Sequence, residues 1–353
     1  MPLISVVMSV FNDDHYVRHA IESVLSQTFT DFEFIIVDDG CTDNTRAIIE
    51  AYSDKRIRLV INENNIGLAP SLNKAIRLSN AKYVARQDAD DISLSERLSR
   101  EVEYLETHSD VALVGSSAVR ISHSGELIGY WNAIAEDIDL KWTLLFCNPF
   151  IHSSIMMRRS VADQVGCYTE RPEVAKAFVE DYDLWSRINR ISRSANLRQP
   201  LLKYRLNPTS VSVRTCDDQI EQANRISLRN ISWLLNRDVT LGEERQALED
   251  ANLLFYSPDG RDPQLPPPRL RSAVTFFGEL QRAFYCRYSF SPSAISAHKR
   301  HWHWIWGRHL LALSLRCPAG IGNRLTLAAL ASRYMQGVVS SLTTASVTRV
   351  GRA

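Results

Sequence analysis

The chain opens on an almost unbroken apolar run, Leu3 to Phe11 (LISVVMSVF), rich in β-branched residues. A run of this kind predicts a strand covered on both faces, as in a parallel sheet. Asp13 or Asp14 can then cap a helix that runs through Gln27, with Val17, Ile21, Val24 and Leu25 on one stripe. The same alternation recurs. Glu33 to Val37 reads as a second buried strand, Asp43 to Tyr52 as a helix and Ile57 to Ile61 as a strand. A helix around Leu68–Leu78, a strand at Lys82–Arg86 and a helix from Ser95 to Glu106 follow. Strands and helices alternating over short connections predict an α/β domain with a mostly parallel sheet flanked by helices.

Beyond this point Val111–Ile121 predicts a strand, Leu140–Phe146 a short helix and His152–Arg158 a strand. Glu180-Asp181 opens a helical pattern in which Asp181, Leu184, Trp185 and Ile188 share a face. Leu201–Leu206 predicts a last strand, closed by Asn207-Pro208. From Thr215 the pattern is helical, broken at Asp259-Gly260 and at Pro266-Pro267-Pro268. The expected division is therefore an α/β domain over residues 1–214 and a mainly helical C-terminal region over 215–353.

Composition adds one asymmetry. The 353 residues are 45% hydrophobic and 23% charged, as in an ordinary globular protein, with a net charge of +1. From Leu265 onward there are twelve Lys and Arg against a single acid, Glu279, a balance of +11. The preceding part then carries about −10, so the two parts are expected to meet different partners. The six cysteines (Cys41, Cys147, Cys167, Cys216, Cys286, Cys317) show no C-x-x-C spacing, which suggests reduced thiols and no zinc site. Neither a secretory leader nor an apolar stretch of membrane-spanning length is seen, so a cytoplasmic location is expected. No nucleic-acid partner is expected.

The candidate chemistry centres on Gln87-Asp88-Ala89-Asp90-Asp91, between the strand ending at Arg86 and the helix from Ser95. Three carboxylates in four positions repel one another, and a divalent cation with hard oxygen ligands, Mg²⁺ or Mn²⁺, would relieve them. The alternative is a solvated turn with Asp91 or Ser93 capping the next helix. Ligands of parallel sheets bind beyond the carboxyl ends of the strands, and three polar clusters fall there: Ser9–Asp14, Asp38–Asp43 and Asp88–Asp91. The absence of G-x-G-x-x-G after the first strand disfavours a Rossmann dinucleotide site.

The ordered series of motifs resembles the family-2 glycosyltransferases, inverting enzymes of the A-type glycosyltransferase fold. Ile4 to Asn12 resembles their first strand and nucleotide loop. Ser23 to Thr28 and Val37 to Thr45 resemble their second unit, and Asn65 to Ala69 with Leu72 to Ala75 the third. Ala85 to Asp91 and Glu180 to Trp185 complete the set, over residues 3 to about 213. The resemblance implies a nucleotide-diphospho-sugar donor, with UDP-sugars favoured, and a glycan or lipid-linked acceptor. It implies that Ser9, Phe11 and Asp39 hold the nucleotide, that Arg86 and Asp88 lie beside the ribose and diphosphate, and that Asp88 and Asp90 bind the cation. Asp181 is implied as the general base, with Glu180 and Asp183 as the residues most easily confused with it.

Two departures stand out. Relatives often carry Pro and Tyr where this chain has Ser9 and Phe11, and His where it has Asn207. His152 reads equally as an acceptor-side residue and as a core histidine. Competing readings are a phosphoacceptor receiver domain, a nucleotidyltransferase and a catalytically silent nucleotide-sugar-binding or scaffold protein. The first would need its acidic pair at the first strand, and the second a Gly-rich basic loop there. The intact Asp39, Asp88, Asp90 and Asp181 argue against the third. Finally, His301-Trp302-His303-Trp304-Ile305-Trp306 with Arg308 predicts an interfacial helix at an anionic membrane surface, or else a helix docked on protein.

Overall fold

The computed structural model describes residues 1–207, 216–256 and 267–316, with two isolated positions, 329 and 332. The chain forms two compact units, Met1–Ser227 and Leu228–Ala353. In the first unit the order is β1 (Ile4–Val10), α1 (Val17–Leu25), β2 (Phe32–Asp38), α2 (Thr45–Glu50), β3 (Ile57–Ile61), α3 (Leu68–Leu78) and β4 (Tyr83–Arg86). There follow β5 (Ile92–Ser93), α4 (Arg97–Thr107), β6 (Val111–Ser122), β7 (Leu127–Trp131), α5 (Asp137–Thr143), a 3₁₀ turn (His152–Ser154) and β8 (Met156–Arg158). Then come α6 (Arg159–Val165), α7 (Pro172–Ala175), α8 (Glu180–Ile191), β9 (Arg193–Leu206) and α9 (Cys216–Leu235), which crosses into the second unit.

Among the described residues the strands form one sheet of order β3-β2-β1-β4-β8-β6-β9-β5, with β7 added on β6. The half β3-β2-β1-β4 is parallel, as the alternating pattern predicts. The other half is mixed, because β8 runs antiparallel to both β4 and β6 while β9 is parallel to β6. Every residue of β1 is buried because its alternate side chains enter different cores. Ile4, Val6, Met8 and Val10 join Val17, Ile21 and Val24 of α1 on one face. Val7 joins Leu72 and Ile76 of α3 and Leu184, Trp185 and Ile188 of α8 on the other.

Several elements differ from expectation. His152–Ser154 is a 3₁₀ turn, not strand, because the Ser154 N–H and hydroxyl both donate to the Ile151 carbonyl. β9 starts at Arg193, eight residues before the apolar run that announces it, through polar residues paired with β6. α5 starts three residues early, where Asp137 accepts the Ser194 N–H and pairs with Lys141. The early turns of α9 belong to the first unit: Ile226 enters the α8 side of the core and the Ser227 hydroxyl donates to the Leu145 carbonyl at 2.6 Å.

The second unit holds the rest of α9 with α10 (Gly242–Tyr256), α11 (Pro267–Arg287) and α12 (Pro292–Arg316). Arg237 pairs with Glu244 and, through two nitrogens, with Glu279, and Arg269 pairs with the buried Asp250. The aromatic run of α12 turns inward where its side chains are described. Trp306 is fully buried and meets Phe277 edge to face at 4.5 Å, and Trp302 packs on Trp306 and His298. This corrects the interfacial reading for Trp306, whose ring is inside the unit's own core. Among the described residues no helix is long and apolar enough to cross a membrane.

The connection from β4 to α4 is pinned by Arg97, which is fully buried. Its guanidinium donates to the carbonyls of Arg86 (2.7 Å) and Ile155 (3.1 Å), to Gln87 Oε1 (3.2 Å) and Ser93 Oγ (2.9 Å), and to Glu101 Oε1 (3.1 Å). Burial pushes the Glu101 carboxyl up to about 7 against the pull of Arg97. Removing one partner of such a network strands the others in an apolar setting, typically at about 3–5 kcal/mol. We therefore expect Arg97→Met to lower stability to chemical denaturation by about 3 kcal/mol or more, and the Arg97→Met/Glu101→Met double variant to recover part of it. A single variant within about 1 kcal/mol of the parent would show that the network is not the anchor it resembles.

Candidate functional site

The registers set Val10 of β1 beside Asp38 of β2 and Val7 beside Arg86 of β4. The residues just past these strands therefore leave the sheet along one edge. Ser9 is buried in the last part of β1, and Phe11 is exposed one residue beyond it. The loops after β1 and β2 are stitched together: Asn12 Oδ1 accepts the Thr42 N–H at 2.8 Å, and the Asp13 N–H donates to Thr45 Oγ1 at 2.8 Å.

Asp38 and Asp39 divide two tasks. Asp38 is fully buried and accepts from Arg46 and from the Cys41 N–H. Burial opposes its charge, but these two donors hold its carboxyl below the usual range. Asp39 is also buried and anchors the loop after β3. Its Oδ1 accepts from Asn62 Nδ2 (2.8 Å) and the Ile66 N–H (2.9 Å), and its Oδ2 from the Gly67 N–H (2.9 Å). Gly40, at φ +78°, lets that loop approach: a Cβ there would sit 2.7 Å from backbone atoms of Asn64 and Asn65.

The three acids of the Asp88–Asp91 loop have three different environments. Arg86 is buried and reaches Asp88 Oδ1 through Nη2, while its Nε and Nη1, also buried, have no hydrogen-bond partner among the described residues. Asp88 keeps about a third of its side chain exposed, and its N–H donates to Ser153 Oγ at 3.0 Å. Burial and the charges of Asp88 and Asp13 push the Asp90 carboxyl up to about 7. Asp91 is fully buried and accepts the Arg205 N–H at 2.8 Å, and burial holds its carboxyl well above the usual range. Arg205 also donates to the Asp90 carbonyl (2.8 Å) and the His123 carbonyl (2.9 Å) and stacks over Tyr16 at 4.5 Å. Gln87 Nε2 spans the loop from inside, donating to the carbonyls of Asp88 (2.9 Å) and Asp91 (3.0 Å).

The first turn of α8 completes the edge. Asp181 Oδ2 accepts from Asn148 Nδ2 at 2.7 Å and Oδ1 from the Tyr182 N–H at 2.6 Å. Burial pushes its carboxyl up to about 6, with Asp88 adding to the rise and Asn148 and Arg86 opposing it. Glu180 is more deeply buried, with one oxygen unpartnered and its carboxyl pushed up to about 8 by burial and by Asp181. Asp183 is separated from both, because it accepts from Arg187 Nε at 2.8 Å, and that guanidinium also donates to the carbonyls of Val165 and Cys167. His152 Nε2 meets the Tyr168 hydroxyl at 2.8 Å, and burial beside Arg86 keeps the ring neutral, its pKa well below the usual value.

Arg86, Asp88, Asp90 and Asp181 thus lie in one electrostatically coupled cluster, with Ser9 and Asp39 on the same edge. Asp88 and Asp90 supply two hard carboxylates suited to Mg²⁺ or Mn²⁺. Among the described residues no group of three or more His, Cys, Asp or Glu could hold a metal by itself. The donor set therefore fits a cation whose remaining ligands come from a bound diphosphate and water. Asn207 is the last described residue before residues 208–215, which lie outside the described residues. Asn148, Tyr168 and Arg97 carry no motif and were missed. Arg205 carried no signal beyond its place two residues before Asn207.

The model of glycosyl transferase family 2 matches residues 5–166. An uncharacterized glycosyltransferase of Haemophilus influenzae is 31% identical over 266 residues, 72% of this chain and 80% of that protein. The O-antigen biosynthesis glycosyltransferase WbnJ of Escherichia coli is 33% identical over 216 residues, 60% of this chain and 82% of that protein. WfaP of Escherichia coli, a UDP-Glc:alpha-D-GlcNAc-diphosphoundecaprenol beta-1,3-glucosyltransferase, is 29% identical over 227 residues, 64% of this chain and 85% of that protein. The crystal structure of S. aureus TarS 1–349 in complex with UDP-GlcNAc superposes with a TM-score of 0.56 at 17% identity, covering 95% of this chain and 92% of that one. With motifs, sheet and relatives in agreement, the chain belongs to glycosyl transferase family 2 and has the A-type glycosyltransferase fold.

Proposed function

We propose that the protein is an inverting, metal-dependent glycosyltransferase acting in surface polysaccharide assembly. It moves a sugar from a nucleotide-diphospho-sugar, preferably a UDP-sugar, to a hydroxyl of a glycan or lipid-linked acceptor. The observation that carries this reading is the meeting of the partly buried Asp181 and Asp88 with the buried Arg86 in one cluster. A carboxylate restrained by Asn148, its pKa pushed up to about 6, there lies near a guanidinium with two nitrogens unpartnered among the described residues. The names of WfaP and WbnJ support the donor class and the process.

Ser9, Phe11 and Asp39 hold the nucleotide. Asp39 already accepts three hydrogen bonds, and a carboxylate has about four lone-pair sites, so one remains for an N–H of the base. Phe11 offers a ring face without a phenolic hydroxyl. Arg86 and Asp88 lie at the diphosphate and ribose, where the spare donors of Arg86 bind phosphate oxygen. Asp181 accepts the proton of the acceptor hydroxyl as that oxygen bonds to the anomeric carbon and the bond to the diphosphate breaks on the opposite face. A Mg²⁺ or Mn²⁺ held by Asp88 and Asp90 would neutralise charge growing on the departing diphosphate. Asn207 leaves the site without the imidazole that relatives often have at that position. Peripheral contact with an anionic membrane rests on the +11 balance after Leu265 alone, and salt-sensitive flotation with anionic liposomes tests it.

The base and the cation can be tested separately. Asp181→Asn should keep nucleotide affinity while kcat falls by about two to four orders of magnitude. Since a carboxylate must be ionised to act as a base, kcat/KM of the parent should drop about tenfold per pH unit below pH about 6. Asp183→Asn should be far milder in turnover, and equal effects at the two positions would place the base wrongly. Asp90→Ala should abolish turnover without lowering the melting temperature, and Mn²⁺ with UDP should stabilise the parent alone. Full turnover in excess chelator would sink the metal assignment.

A further inference from the structure

Strand β7 leaves four large apolar side chains exposed within five residues: Leu127 (62%), Ile128 (51%), Tyr130 (60%) and Trp131 (41%). Its register sets Trp131 beside Ala118 and Gly129 beside Arg120 of β6. On the other side of β6, Ala118 pairs with Leu202 and Arg120 with Tyr204. Paired residues share a face and alternate residues return to it. Gly129, Arg120 and Tyr204 therefore form one row, and Trp131, Ala118 and Leu202 the next, on one face of the sheet.

That face adjoins the catalytic cluster. Tyr204 packs with Ala118, Leu202 and Ile151, next to the turn that carries His152 and Ser153. The next residue, Arg205, donates to the Asp91 carboxylate and the Asp90 carbonyl. Burial and the charges of Asp91, Asp88, Asp90 and Asp181 all raise the Tyr204 hydroxyl's pKa, so Tyr204 feels both halves of the cluster. Trp131 meets Tyr204 edge to face at 6.0 Å. Beside Trp131 the strip is open: a Cβ built on Gly129 meets nothing within 4 Å, and a bulge follows, where Leu127 pairs with Ile121. The Arg120 Nε is buried and has no hydrogen-bond partner among the described residues.

We propose that this strip is the acceptor subsite, and that it takes the sugar-diphosphate end of a lipid-linked acceptor. The sugar ring lies over Gly129 against the indole of Trp131, with its reacting hydroxyl toward Asp181. The diphosphate is drawn to Arg120, and the apolar chain leaves past Leu127 and Ile128. Each group suits its part. Indole offers a broad, rigid apolar face with a polar edge, and guanidinium binds phosphate oxygens in a fixed fork. The assignment rests on the transferase reading and specifies its second substrate.

The test is binding, so it does not depend on which residue is the base. Full-length protein saturated with UDP and Mn²⁺, which fill the donor side, is titrated by calorimetry with N-acetylglucosamine joined through a diphosphate to an undecyl chain. Trp131→Ala and Arg120→Ala should each weaken the Kd about tenfold, the usual scale for a buried aromatic or arginine anchor. Gly129→Leu, which fills open space and is expected to fold, should abolish binding. UDP affinity, measured separately, should stay within about twofold in all three and reports on the donor reading alone. No binding by the parent, or equal binding by all variants, would overturn the subsite. So would light scattering that shows a dimer dissociated by Gly129→Leu, since the strip would then be a self-association edge.

Discussion

The catalytic edge depends on how this fold tolerates carboxylates crowded at the ends of parallel strands. Burial raises the carboxyl pKa values of Asp13, Asp90, Asp91 and Asp181, and the charge of Asp88 adds to the rise in each. Two arginines offset the strain mainly through backbone carbonyls. Arg97 holds the carbonyls of Arg86 and Ile155 from beneath, and Arg205 holds those of Asp90, Ser122 and His123 from the side. By bonding to the chain they fix the loop's shape without neutralising the carboxylates one by one. A third arginine, Arg86, spends one nitrogen on Asp88 and keeps two uncommitted.

Burial separates acids that look alike. Asp38, Asp91 and Asp183 accept from donors inside the protein and are buried, whereas Asp88, Asp90 and Asp181 are only partly buried, although Asp181 too accepts from Asn148 and the Tyr182 N–H. Asp39 both ties down the loop after β3 and retains a lone pair. A site assembled this way is preorganised, so binding energy need not be diverted into ordering the loop. Gly40 belongs to the same plan, because the close approach it permits brings the Ile66 and Gly67 N–H groups onto Asp39.

Much of this was legible in the residues. The apolar run at Leu3–Phe11 and the strand-helix alternation through Arg86 predicted the parallel half of the sheet, because a strand covered on both faces needs apolar residues at every position. The acid cluster after β4 was legible as charge crowding. The mixed half was not. β9 begins in a polar stretch, and β7 is five residues whose exposed apolar side chains fit no buried strand. The inward turn of Trp306 was equally hidden, since an aromatic helix face reads the same whether it meets lipid or a neighbouring helix. Asn148 carries no sequence signal at all. Its contact with Asp181 joins positions 33 residues apart and exists only once the chain has folded.

The central claim of the proposed function is that the edge takes a cation and a diphosphate together, since among the described residues no three ligating side chains are placed to hold a metal alone. Calorimetric titration of the intact chain with Mn²⁺ and with UDP, each in the absence and presence of the other, tests this most directly. Binding coupled through shared ligands must be reciprocal, so each should tighten the other by the same factor, about tenfold or more. Mn²⁺ binding equally well without UDP, or UDP affinity indifferent to Mn²⁺, would contradict the account.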